Sequence, residues 1–155
     1  MRNIELPTPA EPLVPHCGTM SLIDTLLVAE EGHGLCRTTL CKGHLLLGDD
    51  GLMDRCGFVE LGAQAHAVSE GYHLARAGLP FPVGYLVGVQ GFECLADARE
   101  GDELTIETES LGTFEGFGVV QATIRRGEEA LAQGRIKLYV PEARTDAAEG
   151  VGGDG

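Results

Sequence analysis

Apolar residues recur with a helical period in one long segment, residues 55–77. The positions on one face follow one another at spacings of four, three, four and three residues: Leu61, Ala65, Val68, Tyr72 and Ala75. This spacing predicts an amphipathic helix, because residues three and four apart share a face. Gly78 and Pro80 follow the segment and predict where the helix stops.

Segments that favour β-structure lie on both sides of this helix. Two short ones precede it, residues 25–31 and 35–41, with a turn at 32–34 between them. Four longer ones follow it, punctuated by glycines: 83–95, 103–111, 117–125 and 130–140. Four late strands joined by tight turns predict an antiparallel sheet.

The order of these elements predicts an α+β fold in which a curled antiparallel sheet wraps around one long central helix. Within 58–67, Glu60 is the only residue that is always charged, so we expect the helix to be covered on nearly all sides. The folded domain is predicted over residues 13–140. Residues 1–12 are expected to form an irregular arm, and the polar, glycine-rich residues 141–155 a disordered acidic tail.

Composition narrows the classes of function that remain. The 155 residues suggest one domain, and the net charge of −13 argues against non-specific binding of nucleic acid, whose phosphates would repel the chain. No apolar run is long enough for a transmembrane helix, and the N-terminus lacks the apolar core of a signal peptide. We therefore expect a cytoplasmic protein that does not associate with membranes.

The acidic charge would also repel an acidic protein partner, unless basic residues gather locally. Three pairs could form such a patch or could equally be scattered: Arg37 with Lys42, Arg125 with Arg126, and Arg135 with Lys137. The choice between the two depends on how the strands are arranged.

The five cysteines form an odd set without a CxxC motif, which predicts reduced thiols that are mostly buried. His33, Cys36, Cys41 and His44 have spacings that suggest a metal site. However, side chains alternate along a strand, so Cys36 and Cys41 should face opposite ways, and we expect no metal.

The helix carries a carboxylate and an amide one turn apart, Glu60 and Gln64, in an otherwise apolar stretch. Glu60 could simply favour the positive end of the helix dipole, an effect of about 0.3–1 kcal/mol, with Asp54 as the N-cap. Alternatively, Glu60 faces a cleft and transfers protons. A buried carboxylate needs a partner, and Gln64 could position it or bind a ligand.

The remaining candidates favour structural roles. We expect His16, His66 and His73 to pack or to form ordinary hydrogen bonds. Three aromatic residues are expected in the core: Tyr72, Tyr85 and Phe92.

Two motifs carry a resemblance to a known family: "LVPHCGTMSLID" at residues 13–24 and "FVELGAQAHA" at 58–67. Together with "GYLVGVQGFECLADAREGDELTIETES" (84–110) and "ALAQGRIKLYV" (130–140), they resemble the 3-hydroxyacyl-[acyl-carrier-protein] dehydratases of the hotdog superfamily. The nearest branch is a divergent one found with aryl-polyene-type biosynthesis. The resemblance covers residues 12–140 and implies the hotdog fold.

The resemblance also implies a reaction, the dehydration of 3-hydroxyacyl thioesters to trans-2-enoyl thioesters by general acid/base catalysis without a cofactor. The acyl chain would be carried on the phosphopantetheine of an acyl carrier protein, and the site would lie between two hotdog subunits. In this sequence Glu60 matches the family's acid and His44 is the candidate base. Gln64, Gly57 and Phe58 are the candidate substrate-binding residues, with backbone N–H groups of 56–58 as oxyanion donors.

The histidine loop departs from the family pattern. "GHLLLGDDGLMD" is two residues longer between His44 and Glu60 and lacks the prolines that stiffen the loop. Three functions therefore stay open: a homodimeric or heterodimeric dehydratase, a hotdog acyl thioesterase, and a non-catalytic subunit that completes another hotdog dehydratase. In a mixed complex, the base could come from the other chain.

Overall fold

The computed structural model describes residues 1–142 of the chain as one long helix against a seven-stranded sheet. The strands are β1 (Thr8–Pro9), β2 (Thr25–Glu30), β3 (His33–Thr39), β4 (Tyr85–Cys94), β5 (Glu103–Phe114), β6 (Phe117–Arg126) and β7 (Glu129–Tyr139), and the helix is α1 (Gly57–Ala77). The predicted α+β hotdog architecture is confirmed. Nearly all of the predicted tail lies outside the described residues.

All neighbouring strands of the sheet pair antiparallel, in the order β1-β2-β3-β5-β6-β7-β4. The hairpins β5–β6 and β6–β7 have short turns, as predicted. The expectation of a tight turn between β4 and β5 is wrong. β4 pairs with β7 at the far edge, and residues 95–102 carry the chain back to β5 in the middle of the sheet.

The core lies between α1 and the inner face of the sheet. Alternate residues of β5, β6 and β7 point inward and are fully buried, including Ile106, Ile124 and Ile136. On the helix, Phe58 and Leu61 are equally buried. Each such apolar side chain stabilises the fold by about 1.5–3 kcal/mol relative to exposure, so this layer supplies most of the favourable energy.

Small residues let α1 approach the sheet closely. A Cβ atom added at Gly62 would lie 2.7 Å from Cδ1 of Ile136 and 2.9 Å from Cβ of Ala122. The helix ends as predicted, because Gly78 adopts a left-handed conformation with φ of 70° and Leu79 N–H donates to the carbonyl oxygen of Leu74.

The outward side of α1 is less covered than its sequence predicts. Ala63, His66 and Ala67 are half-buried, and Glu70 is exposed. The expectation of a helix covered on nearly all sides is therefore wrong for a single chain.

The N-terminal arm is more regular than expected. It contains β1 and a 3-10 turn at Glu11–Leu13, and the Tyr72 hydroxyl donates to the carbonyl oxygen of Ile4 at 3.2 Å. Arg2 N–H donates to the carbonyl oxygen of Arg76 at 3.0 Å. The arm therefore packs along the C-terminal half of α1.

The two edges of the sheet differ. One edge is β1, which has two residues and contains Pro9. The other is β4, which has ten residues and exposes Tyr85, Leu86, Val87 and Val89 by 44–54%. No helix within residues 1–142 has both the length and the hydropathy needed to cross a membrane.

Candidate active site

The first turn of α1 is built on Asp54. Its carboxylate accepts the N–H of Cys56 at 2.8 Å, and its carbonyl oxygen accepts the N–H of Gly57 at 2.9 Å. The regular helix begins at Gly57, slightly later than the sequence predicts. Asp54 therefore caps the turn that leads into the helix.

Glu60 lies in this first turn and is half-buried. The side-chain amide of Gln64 donates to its Oε1 at 2.9 Å. Among residues 1–142, Glu60 makes no other side-chain hydrogen bond, so Oε2 is available to a ligand. Glu60 and Gln64 lie one turn apart on the same side of α1, as predicted.

Gln64 is 3% exposed and has all its hydrogen-bonding positions but one occupied. Besides donating to Glu60, its Nε2 donates to the carbonyl oxygen of Met20 at 3.0 Å, and its Oε1 accepts the N–H of Leu22 at 3.0 Å. The backbone N–H of Leu22 fixes which end of the amide is oxygen. Gln64 therefore links Glu60 to the segment 13–24 that carries the first family motif.

His44 lies in the loop between β3 and α1 and is half-buried. Its Nδ1 accepts the backbone N–H of Leu46 at 3.2 Å. Burial lowers the pKa of His44 below its ordinary value, and the negative charge of Asp24 opposes part of this shift.

The His44 loop is held by its own backbone rather than by prolines. His44 N–H donates to the carbonyl oxygen of Cys41 at 2.9 Å, and Leu47 N–H donates to that of His44 at 3.0 Å. Asp54 N–H donates to the carbonyl oxygen of Leu46 at 3.1 Å, which attaches the loop to the start of α1. The loop is therefore fastened to the start of α1 through Leu46.

The structure gives Gly57 and Phe58 different surroundings from those expected of substrate-binding groups. A Cβ atom at Gly57 would lie 3.1 Å from Cδ1 of Leu46 and 3.4 Å from Sδ of Met53, so packing explains this glycine. Phe58 is fully buried. Its N–H donates to the carbonyl oxygen of Arg55, and the N–H groups of Cys56 and Gly57 also have acceptors.

Two cavities of the described chain lie away from Glu60. A cavity of about 430 Å³ lies between the N-terminal arm and the C-terminal end of α1, and one of about 440 Å³ lies on β4, β6 and β7. Neither is lined by Glu60, Gln64 or His44.

His33 and most of the thiols have contacts or exposure that do not involve Glu60. His33 contacts the carboxylate of Glu107 at 2.9 Å on the outer sheet face. Within residues 1–142, no group of three or more histidine, cysteine or acidic side chains is placed to hold a metal ion. The expectation of mostly buried cysteines is wrong, because Cys36 alone is buried, while Cys17, Cys41 and Cys56 are exposed.

The basic residues lie in two settings, in ion pairs and on the outer face of the sheet. Arg126 pairs with Asp102 and Glu129, both at 2.7 Å. Arg37 and Arg125 lie on either side of Thr105 on the outer sheet face, separated by one strand. Arg135 and Lys137 share that face farther along β7.

One feature missed by the sequence interpretation is an aromatic row across four strands. Phe114, Phe117, Tyr139 and Tyr85 are paired in turn from β5 to β4. The rings of Phe117 and Tyr139 have centroids 4.5 Å apart. Tyr85, expected in the core, is 54% exposed, whereas Tyr72 is buried as expected. The register of β4 with β7 creates this row, and the sequence alone did not indicate it.

Comparison with known proteins connects this arrangement to a family. A family model described as ApeP-like, ApeP dehydratase, matches residues 8–149. A chain of the dehydratase heterocomplex ApeI:P from Xenorhabdus doucetiae superimposes with a TM-score of 0.80 at 27% identity, covering 86% of this chain and 91% of that chain. No curated protein matches significantly.

More distant solved structures share the fold. A hypothetical thioesterase with coenzyme A from Streptococcus pneumoniae has a TM-score of 0.58 at 15% identity, covering 74% of this chain and 83% of that one. The PaaI protein of E. coli has a TM-score of 0.57 at 17% identity, covering 74% and 80%. With the family model spanning nearly all of the described fold, including Glu60 and Gln64, the chain belongs to the ApeP-like dehydratase family of hotdog proteins.

Proposed function

We propose that the protein dehydrates 3-hydroxyacyl thioesters, carried by the phosphopantetheine of an acyl carrier protein, to trans-2-enoyl thioesters. Membership of a dehydratase family supports the reaction class. The hydrogen bond from Gln64 to Glu60 is the observation that supports the site, because it holds a carboxyl group with one oxygen left for a ligand. The reaction needs no cofactor.

The chemistry requires two groups on opposite sides of the acyl chain. A base removes a proton from the α-carbon, the bond between the β-carbon and its hydroxyl oxygen breaks, and an acid protonates that oxygen so that water leaves. Glu60 is the proposed acid, with Oε1 held by Gln64 and Oε2 directed to the hydroxyl. The base is a histidine, either His44 or a histidine of a second subunit.

A second hotdog subunit is the proposed partner, and strand β4 is its proposed docking edge. Ten residues of β4 present unpaired backbone along one side and exposed apolar side chains, including Val87 and Val89. Such an edge accepts a further strand readily. The ApeI:P dehydratase, a similar protein, is a heterocomplex, which favours a different hotdog chain as partner.

The partner proposal is tested by introducing charged residues on the edge strand β4. The variants Val87→Lys and Val89→Lys should abolish co-purification with a second hotdog subunit and reduce the native mass to that of one chain. The matched control is Thr123→Lys on the outer face of β6, paired within the sheet on both sides. Equal loss of assembly in the control would contradict a docking role for β4.

The reaction is tested with the assembled complex and a 3-hydroxyacyl carrier substrate, by following loss of water in the mass spectrum. Glu60→Gln should lower turnover by about 10²–10⁴-fold, the range for a general acid. Glu70→Gln, an exposed carboxylate on the same helix, is the matched control. Full activity of Glu60→Gln would overturn the assignment of this acid.

An acyl thioesterase is the second candidate function. The observation in its favour is that a hypothetical thioesterase, whose structure contains coenzyme A, has the same fold. A carboxylate on the central helix could activate water for hydrolysis instead of protonating a hydroxyl. Release of free thiol without enoyl product would support this candidate, and the reverse would support dehydration. A third outcome would identify a non-catalytic subunit. In that case the chain is inactive alone, and Glu60→Gln leaves the activity of the complex unchanged.

A further inference from the structure

We propose that the cavity between the N-terminal arm and the C-terminal end of α1 binds a small carboxylic acid with an apolar body, such as a free acyl acid. The inference does not depend on the proposed dehydratase function, because none of the three candidate catalytic and positioning side chains lines this cavity. It adds a second ligand site at the opposite end of the helix from Glu60.

The cavity is lined almost entirely by apolar residues from three segments. α1 contributes Leu74, the arm contributes Leu13, and the chain that follows the helix contributes Leu79 and Phe81. Phe81 packs where the helix has no side chain, since a Cβ atom at Gly71 would lie 2.5 Å from Cε2 of its ring. The volume of about 430 Å³ lies in the usual range of small-molecule sites, which are also mostly apolar.

An apolar ligand would gain from entering this cavity. Leu79 lines it and is 57% exposed, so the chain leaves apolar surface open to water there. Covering such surface with the body of a ligand is favourable in proportion to the apolar area removed from water. The lining therefore accounts for the apolar part of the proposed ligand.

Positive charge gathers at the same end of the helix. Arg2 is the one charged residue among those that line the cavity, and its N–H donates to the carbonyl oxygen of Arg76. The Arg76 guanidinium lies 5.5 Å from the centre of the Tyr72 ring, and its Nη2 lies 4.0 Å from Sδ of Met1. Two guanidinium groups and the first residue of the chain therefore lie close together.

These cations have no carboxylate partner. Within residues 1–142, neither Arg2 nor Arg76 nor the amino terminus forms an ion pair, and the buried Nε of Arg76 has no hydrogen-bond partner. The chain has 24 acidic residues against 11 lysines and arginines, so carboxylates are abundant elsewhere. Unpaired cations beside an apolar cavity favour an anionic ligand, and a guanidinium matches a carboxylate in shape and hydrogen bonding.

The C-terminal end of a helix opposes an anion, because its last carbonyl groups carry partial negative charge. Here those carbonyl groups are occupied. Gly78 N–H donates to the carbonyl oxygen of Ala75 at 3.2 Å, Leu79 N–H donates to that of Leu74 at 2.9 Å, and Arg2 covers that of Arg76. The basic side chains offset the remaining dipole, so a carboxylate is acceptable at this position.

The site is tested with octanoate in a ¹H–¹⁵N NMR titration of the full-length chain with its native N-terminus, near pH 7.5. We expect saturable shifts of the backbone signals of Gly71, Ala75 and Gly78, which line the cavity. Two matched probes have the same apolar body: 1-octanol has no charge and should bind several-fold more weakly, and octylammonium has the opposite charge and should bind more weakly still. Equal affinity for all three, shifts confined to other parts of the chain, or no binding of octanoate would overturn the proposal.

Three variants at exposed positions locate the charge effect. Arg2→Gln should weaken octanoate binding by about 3- to 5-fold, as for an exposed ion pair, whereas Arg37→Gln on the outer sheet face is the matched control and should not. Leu79→Glu should abolish binding by placing a carboxylate beside the cavity, and Leu79→Gln separates this effect from the loss of apolar contact. Unchanged binding in Arg2→Gln, or equal binding in Leu79→Glu and Leu79→Gln, would overturn the role of charge. Failure of the dehydratase function would appear separately, as absence of enoyl product.

Discussion

The side-chain amide of Gln64 donates to the carboxylate of Glu60 at 2.9 Å, while the rest of the same amide is bound to the backbone of Met20 and Leu22. One buried side chain thus fixes the candidate acid and the segment beside it. Its removal should affect catalysis and stability together.

The variant Gln64→Ala tests this relationship. Without the amide, Glu60 loses its orientation and the backbone N–H of Leu22 loses its partner. We expect kcat to fall about 10- to 100-fold with a smaller change in KM, because misplacing a catalytic group acts on the chemical step. The free energy of unfolding should fall by about 1–3 kcal/mol. Steady-state kinetics and urea unfolding measure the two effects, with Glu70→Ala as the control. Wild-type kcat in Gln64→Ala would contradict a positioning role.

The close approach of α1 to the sheet is tested by Gly62→Ala. Alanine is the better helix former, so propensity alone would stabilise the protein. The added methyl group, however, would lie 2.9 Å from Cβ of Ala122, which cannot turn away. We expect a net loss of about 1–3 kcal/mol in urea unfolding, the usual cost of overpacking. The control Glu70→Ala changes an exposed position of the same helix and should be nearly neutral. A stabilised Gly62→Ala would show that the helix and sheet have room to separate.

The pH dependence of stability should reflect His66. Burial lowers the pKa of His66 in the folded chain below its ordinary value of 6.5, and the charge of Glu70 opposes part of the shift. As the pH falls through about 6.5, the unfolded chain takes up a proton that the folded chain does not, so stability decreases. The contribution of His66 to stability is complete above this value. It is lost progressively as the pH falls toward the lower pKa of the folded state. His44 acts in the same direction.

The measurement is Tm by calorimetry between about pH 7.5 and 5.5. Tm should fall with pH in the wild-type protein, and it should fall less in His66→Gln. A parallel decrease in both proteins would assign the acid sensitivity to other groups.

The five thiols should react with a disulfide reagent at different rates, according to their burial. Cys36 is buried, and burial raises its pKa to about 12, so it should stay unreactive in the native protein at pH 8. Cys17, Cys41 and Cys56 are exposed and should react quickly with a disulfide reagent, with Cys94 slower. The Cys36→Ser variant should leave the fast phase unchanged and remove only the thiol that appears on denaturation. A fast phase that shrinks in Cys36→Ser would mean that β3 opens readily.

The sequence predicts the helix and most strands well, because their signals are local. The helical spacing from Leu61 to Ala75 and the stop at Gly78 depend only on residues that are close in sequence, so both could be predicted. The position of β4 could not be obtained this way. Its apolar run matches a strand buried within one chain, yet it lies at an edge with Tyr85 and Val89 exposed. Burial by another chain and burial within the fold leave the same pattern of residues.

The candidate site also combines features that local sequence predicts with features that depend on the tertiary fold. Glu60 and Gln64 were predictable as a pair, since residues one helical turn apart share a face. Their link to Met20 and Leu22 was not, because it depends on how the chain returns to the helix across more than forty residues. Gly57 has a contact that the sequence could not indicate. A glycine at the start of a helix suggests access for a ligand, and in the structure Leu46 occupies the place where its Cβ would be.

The unequal edges of the sheet limit the size of any assembly formed through it. With β4 as the proposed docking edge, the opposite edge offers a second chain much less backbone, because it consists of the two residues of β1, one of them a proline, and the short end of β2 that β1 leaves unpaired. The unequal edges therefore favour the addition of one strand partner over continued growth into fibrils.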